Sequence, residues 1–196
     1  MARAREGIQG GSRTLARSQL DPTLSHGATM HPARTAAARL VLNGAFLILA
    51  GYLCGAAIPH VPHPRIMVAA HSAGFMASGI LSILAGLLLQ TKLSSLSAGA
   101  ARIAFFGHLT LWPLSFSEVA AAFWGTNKAL AIAGAQAGAT GGEPWQETLV
   151  IASHAIPALS LMVAWTLLTW GMRQNLRSPA TDDTATLANA QTRGAA

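Results

Sequence analysis

Residues 66–90 read IMVAAHSAGFMASGILSILAGLLLQ, and this stretch decides the fold of the chain. It contains no Asp, Glu, Lys or Arg, and it is longer than the roughly 20 residues that a helix needs to cross the hydrocarbon core of a bilayer. Small residues recur in it at every fourth position, at Ala70, Gly74, Ser78, Ser82 and Gly86. Such a stripe lets another helix backbone approach closely, so it predicts a membrane-spanning helix packed tightly against a neighbour.

The composition of the whole chain agrees with a membrane protein. Charged residues make up 10% of the 196 residues, whereas a water-soluble domain usually has about 25%. The formal net charge is +6, but no basic helix face with interleaved aromatic residues is present, which argues against nucleic acid as a partner. The single cysteine, Cys54, excludes an internal disulfide framework and any multi-cysteine metal site.

Three further apolar segments accompany residues 66–90. The four predicted spans are 40–59, 66–90, 101–124 and 148–172. Pro113 and Pro157 are expected to kink the third and fourth spans, because a proline inside a helix frees the carbonyl four residues earlier. The sequence thus predicts an all-α protein, an integral membrane four-helix bundle over residues 38–174 that has the lipid bilayer as its surroundings.

The two ends of the chain are polar. Residues 1–37 are predicted to be a disordered Arg-rich tail, and residues 175–196 a second disordered tail. A secretory signal peptide is not expected, because no apolar stretch precedes a small-residue cleavage site here. Met30 is a second candidate for the first residue of the protein. Eleven Lys and Arg residues fall on one side of the predicted topology and two on the other. Both termini are therefore expected to be cytoplasmic, in a multi-pass protein of the cell (inner) membrane.

Ionisable side chains inside a span are costly and usually functional. At about 1.5 Å per residue, His71 and His154 lie roughly 8 and 9 Å below the outer ends of their spans, and Glu118 lies at a similar depth. An imidazole can ligate a metal or haem iron, and a carboxyl group in apolar surroundings can hold or pass on a proton. We expect these three side chains to share one cavity and to be the catalytic residues.

Other interpretations of the same residues stay open. His154 can simply bond Ser153 or a freed carbonyl, and His108, nearer the cytoplasmic face, favours a structural role. His71 and His154 at matched depth can instead ligate one haem iron from both sides, as in an electron carrier. Glu118 can also be a structural or proton-coupled group in a bundle that is not an enzyme.

Several short motifs carry a resemblance to known proteins. They are Ile58-Pro59-His60, His63-Pro64-Arg65, Ala70-His71-Ser72, Ala121-Ala122-Phe123-Trp124-Gly125 and Gly142-Glu143-Pro144-Trp145-Gln146-Glu147. In this order and spacing the chain resembles the hydroxylaminobenzene mutases, which are similar to the styrene oxide isomerases. Both are families of small membrane isomerases.

The resemblance implies an activity and a cofactor. The mutases convert an arylhydroxylamine to an aminophenol, and the isomerases convert an aryl epoxide to an aldehyde, which is the alternative activity. The isomerases are trimers that bind haem b, whose ferric iron acts as a Lewis acid. The histidine that ligates this iron matches His71, which is therefore the expected metal ligand, and a homotrimer is the expected assembly.

The chain also departs from the pattern of these families. The Asn expected six residues after the histidine is replaced by Ala77, and Ser78 follows it. The tyrosine that the isomerases carry on the third helix has no counterpart, since Tyr52 in the first span is the only tyrosine. Ser78 is therefore expected to join His71 in binding the cofactor, and either Ser78 or Glu118 to replace the missing substrate anchors.

Overall fold

The computed structural model describes residues 32–177, and within this range the chain is helical with no strand. The α-helices are α1 (Pro32–Ala57), α2 (Pro64–Ala69), α3 (Ser78–Gln90), α4 (Ala98–Leu109), α5 (Leu111–Trp124), α6 (Ala131–Gln136) and α7 (Pro144–Arg177). A short 3₁₀ turn, Ile58–His60, follows α1, and a π-helical segment, Ala70–Ala77, joins α2 to α3. The predicted all-α class is confirmed.

Within the described residues, three stretches are long and apolar enough to cross a membrane, and they are Ala33–His60, Pro64–Gln90 and Pro144–Arg177. They correspond to the first, second and fourth predicted spans. The third predicted span is divided at Thr110 into α4 and α5. Pro113 explains the division, because it has no N–H to bond the carbonyl of Leu109. By contrast, α7 continues through Pro157 without interruption.

The predicted boundaries of the membrane domain need correction at both ends. Residues 32–37 were assigned to the N-terminal tail, but they form the first turns of α1, and α7 likewise continues to Arg177. Pro32 suits the first position of a helix, and the Ala-rich run after it has high helix propensity. The rest of both predicted tails, residues 1–31 and 178–196, lies outside the described part of the chain.

Glycines on the second span allow the backbone of α1 to pack closely against it. A Cβ atom added to Gly79 would lie 2.7 Å from the carbonyl oxygen of Gly44, and one added to Gly86 would lie 2.8 Å from that of Ala37. Neither distance leaves room for a side chain. The small-residue stripe predicted from the sequence is buried along its whole length, which confirms its role in close helix packing.

The bundle has two chemically different ends. At the end that we call the loop end, the Pro-rich connection 58–63 lies beside residues 125–143, and the backbone N–H of His63 donates to Ala122. At the other end, called the basic end, the connection between α3 and α4 contacts the last turns of α7 through the hydrogen bonds of Asn175. The long helix α7 therefore joins the loop end to the basic end.

A buried carboxylate organises the Gly-rich connection at the loop end. Glu147, in the first turn of α7, is 2% exposed. Its Oε1 accepts hydrogen bonds from the backbone N–H groups of Asn127 and Gly142, both at 3.0 Å, and its Oε2 accepts one from Lys128 at 3.1 Å. Glu147 thus ties the connection between α5 and α7 to the membrane domain, together with the packing of Leu130 and Ala133 against the core.

Replacing this carboxylate tests its role in ordering the connection. The substitution Glu147→Gln places an NH₂ group where an oxygen now accepts, so we expect a loss of about 2 kcal/mol of unfolding free energy. Residues 125–142 should exchange their amide hydrogens faster in hydrogen–deuterium exchange measured by mass spectrometry. The matched control is Glu143→Gln, because that side chain is exposed. Equal exchange in the two variants would contradict this role.

Candidate functional site

His71 lies on the π-helical segment and contacts α1. Its Nδ1 is 2.8 Å from the carbonyl oxygen of Gly51. A carbonyl oxygen only accepts, so Nδ1 carries the hydrogen and donates it. In the neutral ring, Nε2 then carries the lone pair. The half-buried imidazole is fixed in one tautomer and orientation by the backbone of a neighbouring helix.

Glycines on α1 make this contact possible. A Cβ atom on Gly55 would lie 3.0 Å from both Cε1 and Nδ1 of His71, and one on Gly51 would lie 2.9 Å from Sδ of Met76. The GxxxG pair of the first span therefore accommodates the imidazole as well as the helix backbone. Single turns of π-helix are frequent at functional sites, because the wider turn redirects side chains relative to a regular helix.

Glu118 and His154 form a pair between α5 and α7. The Oε1 of Glu118 lies 3.2 Å from the Nε2 of His154, while the Nδ1 of His154 donates to the carbonyl of Val150 at 2.7 Å. Because Nδ1 is already a donor, the bond between the two side chains contains one proton, which belongs either to the imidazole or to the carboxyl group. With Oε2 unprotonated, the pair shares this one proton and is neutral overall.

The second oxygen of Glu118 lies deep in the bundle without a donor. Oε2 is buried and lies against Gly74. It is so close to the position that a Cβ atom would take there that any side chain at residue 74 would collide with it. No group within residues 32–177 hydrogen-bonds this atom. A buried carboxyl oxygen without a partner is rare in proteins, and it marks Glu118 as a group with a role beyond packing.

The structure brings together two of the three predicted catalytic side chains. Glu118 and His154 are in direct contact, as their matched depths suggested. His71 makes no hydrogen bond to either of them and lies against α1, whereas Gly74, three residues further along the same segment, contacts Glu118. Ser78 is buried at the start of α3.

The other histidines within residues 32–177 have separate surroundings. His108 is fully buried, its Nδ1 donates to Ala104 at 2.8 Å, and its Nε2 has no partner among the described residues. His60 is exposed and His63 packs against Gly125. Over residues 32–177, no group of three or more His, Cys, Asp or Glu side chains is placed to hold a metal ion.

A polar link and an aromatic cluster beside the site were not predicted from the sequence. Asn43 on α1 donates to Ser82 at 3.0 Å and accepts from the indole of Trp112 at 2.8 Å. Trp112 stacks on Phe116 with the ring centres 5.6 Å apart, and Phe75 meets both rings edge-on. An asparagine within an apolar span was the signal for the polar link, because such a side chain must find a partner.

Comparison with known proteins places the chain in a family. The family model for styrene oxide isomerase matches residues 36–173. The chain is 31% identical over 142 residues to "Hydroxylaminobenzene mutase HabB" of Ectopseudomonas oleovorans, an alignment that covers 70% of this chain and 81% of that protein. No solved structure matches the chain.

Apart from their outermost residues, the three described stretches that are long enough to span a membrane lie in the matched region, as do the Glu118–His154 pair and His71. The resemblance seen in the sequence motifs is thereby confirmed, and with it the expectation of an enzyme. The chain belongs to the styrene oxide isomerase family and is a membrane isomerase.

Proposed function

We propose that this isomerase moves the hydroxyl group of a small arylhydroxylamine from nitrogen to the aromatic ring, giving an aminophenol. The relative named hydroxylaminobenzene mutase supports this substrate class. The observation that carries the choice is the Glu118–His154 pair, in which Oε1 lies 3.2 Å from Nε2 while the buried Oε2 has no hydrogen-bond partner among the described residues. An aromatic substrate that partitions into lipid also suits a site within membrane-spanning helices.

The reaction needs a proton to change place. The N–O bond breaks, a C–O bond forms at the ring, the ring carbon loses its proton and the nitrogen gains one, so that no electrons are gained or lost. A group that takes the proton from the ring carbon and later gives one to the nitrogen suits this sequence. Glu118 and His154 return to their starting state after each turnover, as a catalyst must.

The surroundings of the pair favour proton transfer. Glu118 is 3% exposed, so bulk water does not compete for its proton, whereas His154 is only partly buried. Oε2 of Glu118, which has no partner within the described chain, is the atom that we propose to exchange a proton with the substrate. His154 holds the carboxyl group in position through Oε1.

The residues present also fit a haem cofactor. A histidine that ligates a metal usually donates its second ring N–H to a carbonyl or carboxylate, and His71 donates to Gly51 in this way. We propose that His71 holds haem b through Nε2 and that Ser78, seven residues later on the same span, contacts the cofactor or substrate. Ferric haem, when bound, supplies a Lewis acid that polarises the substrate oxygen.

The aromatic cluster extends this proposal to substrate binding. Phe75 packs beside Gly51, where a Cβ atom would lie 3.1 Å from the Cβ of Phe75, so the cluster lies next to the contact that fixes His71. Aromatic rings prefer edge-on and stacked arrangements with one another, as these rings already show, so the cluster suits an aromatic substrate. We propose that Phe75, Trp112 and Phe116 hold the ring of the substrate while its oxygen is polarised.

The alternative substrate is an aryl epoxide, which the name of the matched family favours. Its rearrangement to an aldehyde moves a hydride between neighbouring carbons of the substrate, so no protein group needs to give or take a proton. The electron-carrier interpretation has less support, because both ring nitrogens of His154 are engaged and neither offers a lone pair to iron. Family membership argues against a bundle without catalytic activity.

The distribution of charge supports a topology and a location. Lys92, Arg102 and Arg173 lie at or near the basic end, whereas Arg65 and Lys128 lie at the loop end. Because Lys and Arg next to membrane spans stay in the cytoplasm, we propose that both termini are cytoplasmic, that four helical segments cross the cell membrane and that α4 with α5 forms the third. A homotrimer stays our proposal for the assembly.

The substrate is tested by direct competition. Purified full-length protein should convert N-phenylhydroxylamine to aminophenol without any added oxidant or reductant, because the reaction is an isomerisation. Styrene oxide, supplied at the same concentration, should be converted more slowly, with both products measured by chromatography. Formation of the aldehyde alone would show that the epoxide is the substrate and that the hydroxylamine proposal is wrong.

The role of His71 is tested by spectroscopy and turnover together. Wild-type protein purified in detergent should show a Soret absorption band, and His71→Ala should lose both this band and turnover, since no other nitrogen replaces Nε2. The control is His60→Ala, because His60 is an exposed loop histidine. A Soret band that survives in His71→Ala, or full turnover by wild-type protein without iron, would remove the haem proposal.

The role of the pair is tested by Glu118→Gln, which keeps a hydrogen bond to His154 but removes the acid. We expect turnover of the arylhydroxylamine to fall about 100-fold with the Soret band unchanged. Adding His154→Gln should cost little more, because the two side chains act as one unit. Any residual epoxide conversion should be unaffected. If Glu118→Gln slows no more than the exposed control Glu143→Gln, the pair has no part in the reaction.

A further inference from the structure

The basic end of the bundle contains a cavity that is separate from the site described above. Its volume is about 460 Å³, and it lies between the start of α1, the end of α3 and the connection to α4. Two cations line it, Arg34 and Lys92, together with the polar side chains of Gln90, Ser94 and Ser95. No carboxylate is among its lining residues.

The positive charge of this cavity is not neutralised by the described part of the chain. Residues 32–177 contain three carboxylates, which are Glu118, Glu143 and Glu147. Glu118 pairs with His154, and the other two lie at the start of α7. Asn175 bonds Lys92 in the connection between α3 and α4, and it lies about 40 Å from the start of α7 along that helix, at 1.5 Å per residue. Glu143 and Glu147 are therefore far from the cavity. Neither Arg34 nor Lys92 forms an ion pair within this range.

The backbone holds Lys92 in an unusual conformation. It has φ of 57°, and among the described residues it is the one non-glycine residue with a positive φ. The position just after a helix end usually carries glycine, which adopts this conformation without strain. The side chain of Asn175 on α7 donates a hydrogen bond to the carbonyl of Lys92. Strained residues of this kind cluster at ligand-binding sites. Glycine would relieve the strain but has no side chain, so the charged side chain is what lysine adds at this position.

From these observations we infer that the cavity binds the phosphate group of an anionic phospholipid from the leaflet at the basic end. Arg34 and Lys92 supply the two positive charges, and the apolar lining residues Ala33, Leu89 and Leu96 lie where the lipid enters the bilayer. Basic pockets between membrane helices are typical sites for anionic headgroups, and a phosphate diester brings one negative charge to two cations. The site is independent of the proposed catalytic function.

The test measures thermal unfolding of the full-length protein in neutral detergent. Phosphatidylglycerol in mixed micelles should raise the Tm in a saturable way, because a ligand that binds the folded state stabilises it. Phosphatidylcholine at the same mole fraction should not. Inorganic phosphate should produce little shift at matched concentration, because it lacks acyl chains to anchor in the bilayer region.

Two variants and a control locate the binding site. Lys92→Gly should unfold at the same or a higher Tm without lipid, since glycine relieves the backbone strain, yet it should bind phosphatidylglycerol about fivefold more weakly. Arg34→Gln should weaken binding to a similar degree. Arg102→Gln removes an exposed positive charge on α4 that does not line the cavity, so its response to lipid should equal that of the wild type.

Three results would overturn the inference. Equal stabilisation by phosphatidylcholine would show that headgroup charge is irrelevant. An equal shift from inorganic phosphate would show that the ligand is a free anion and not a lipid. A loss in Arg102→Gln as large as that in Lys92→Gly would show that diffuse charge at this end, and not the cavity, attracts the lipid.

Discussion

Polar side chains inside a span have no bulk water to bond, so they depend on partners within the bundle, and His71, His108 and His154 show how far this constraint is met. Each donates its Nδ1 hydrogen to a backbone carbonyl at 2.7 or 2.8 Å. This common bond fixes the tautomer, so the surroundings of Nε2 decide what each ring can do. In His154 Nε2 meets Glu118, and in His108 it is buried without a partner.

His71 differs from the other two because its carbonyl partner belongs to another helix. His108 and His154 bond the carbonyl four residues earlier in their own helices, whereas His71 bonds Gly51 on α1. Its orientation therefore depends on how closely α1 approaches the second span. Gly55 permits that approach beside the ring, and Gly44 with Gly79 permits it further along the same helices. Small residues thus set the orientation of His71 as well as the packing of the bundle.

The two ends of the bundle use charge in opposite ways. At the loop end, one buried carboxylate accepts hydrogen bonds from three backbone N–H groups and so helps to order a Gly-rich connection. At the basic end, cations line a cavity, and no carboxylate of the described chain lies there to neutralise their charge. The anionic lipid that we propose therefore belongs to the basic end.

The sequence by itself determined the all-α membrane class, because length and hydrophobicity are local properties of each span. It also made His71, Glu118 and His154 candidate site residues, since ionisable residues are conspicuous in apolar segments. It did not reveal the π-helical segment, the division of the third span at Thr110, or the link from Asn43 to Ser82 and Trp112.

Only the tertiary structure decided which of the polar groups meet. Depth along a helix follows from residue number, so the sequence was enough to predict that Glu118 and His154 lie at the same level of the bundle. Rotation about the helix axis depends on packing and on the π-helical turn, and it directed His71 to the backbone of α1 and Gly74 to Glu118. Side-chain partners across helices are set by this rotation, which no local pattern encodes.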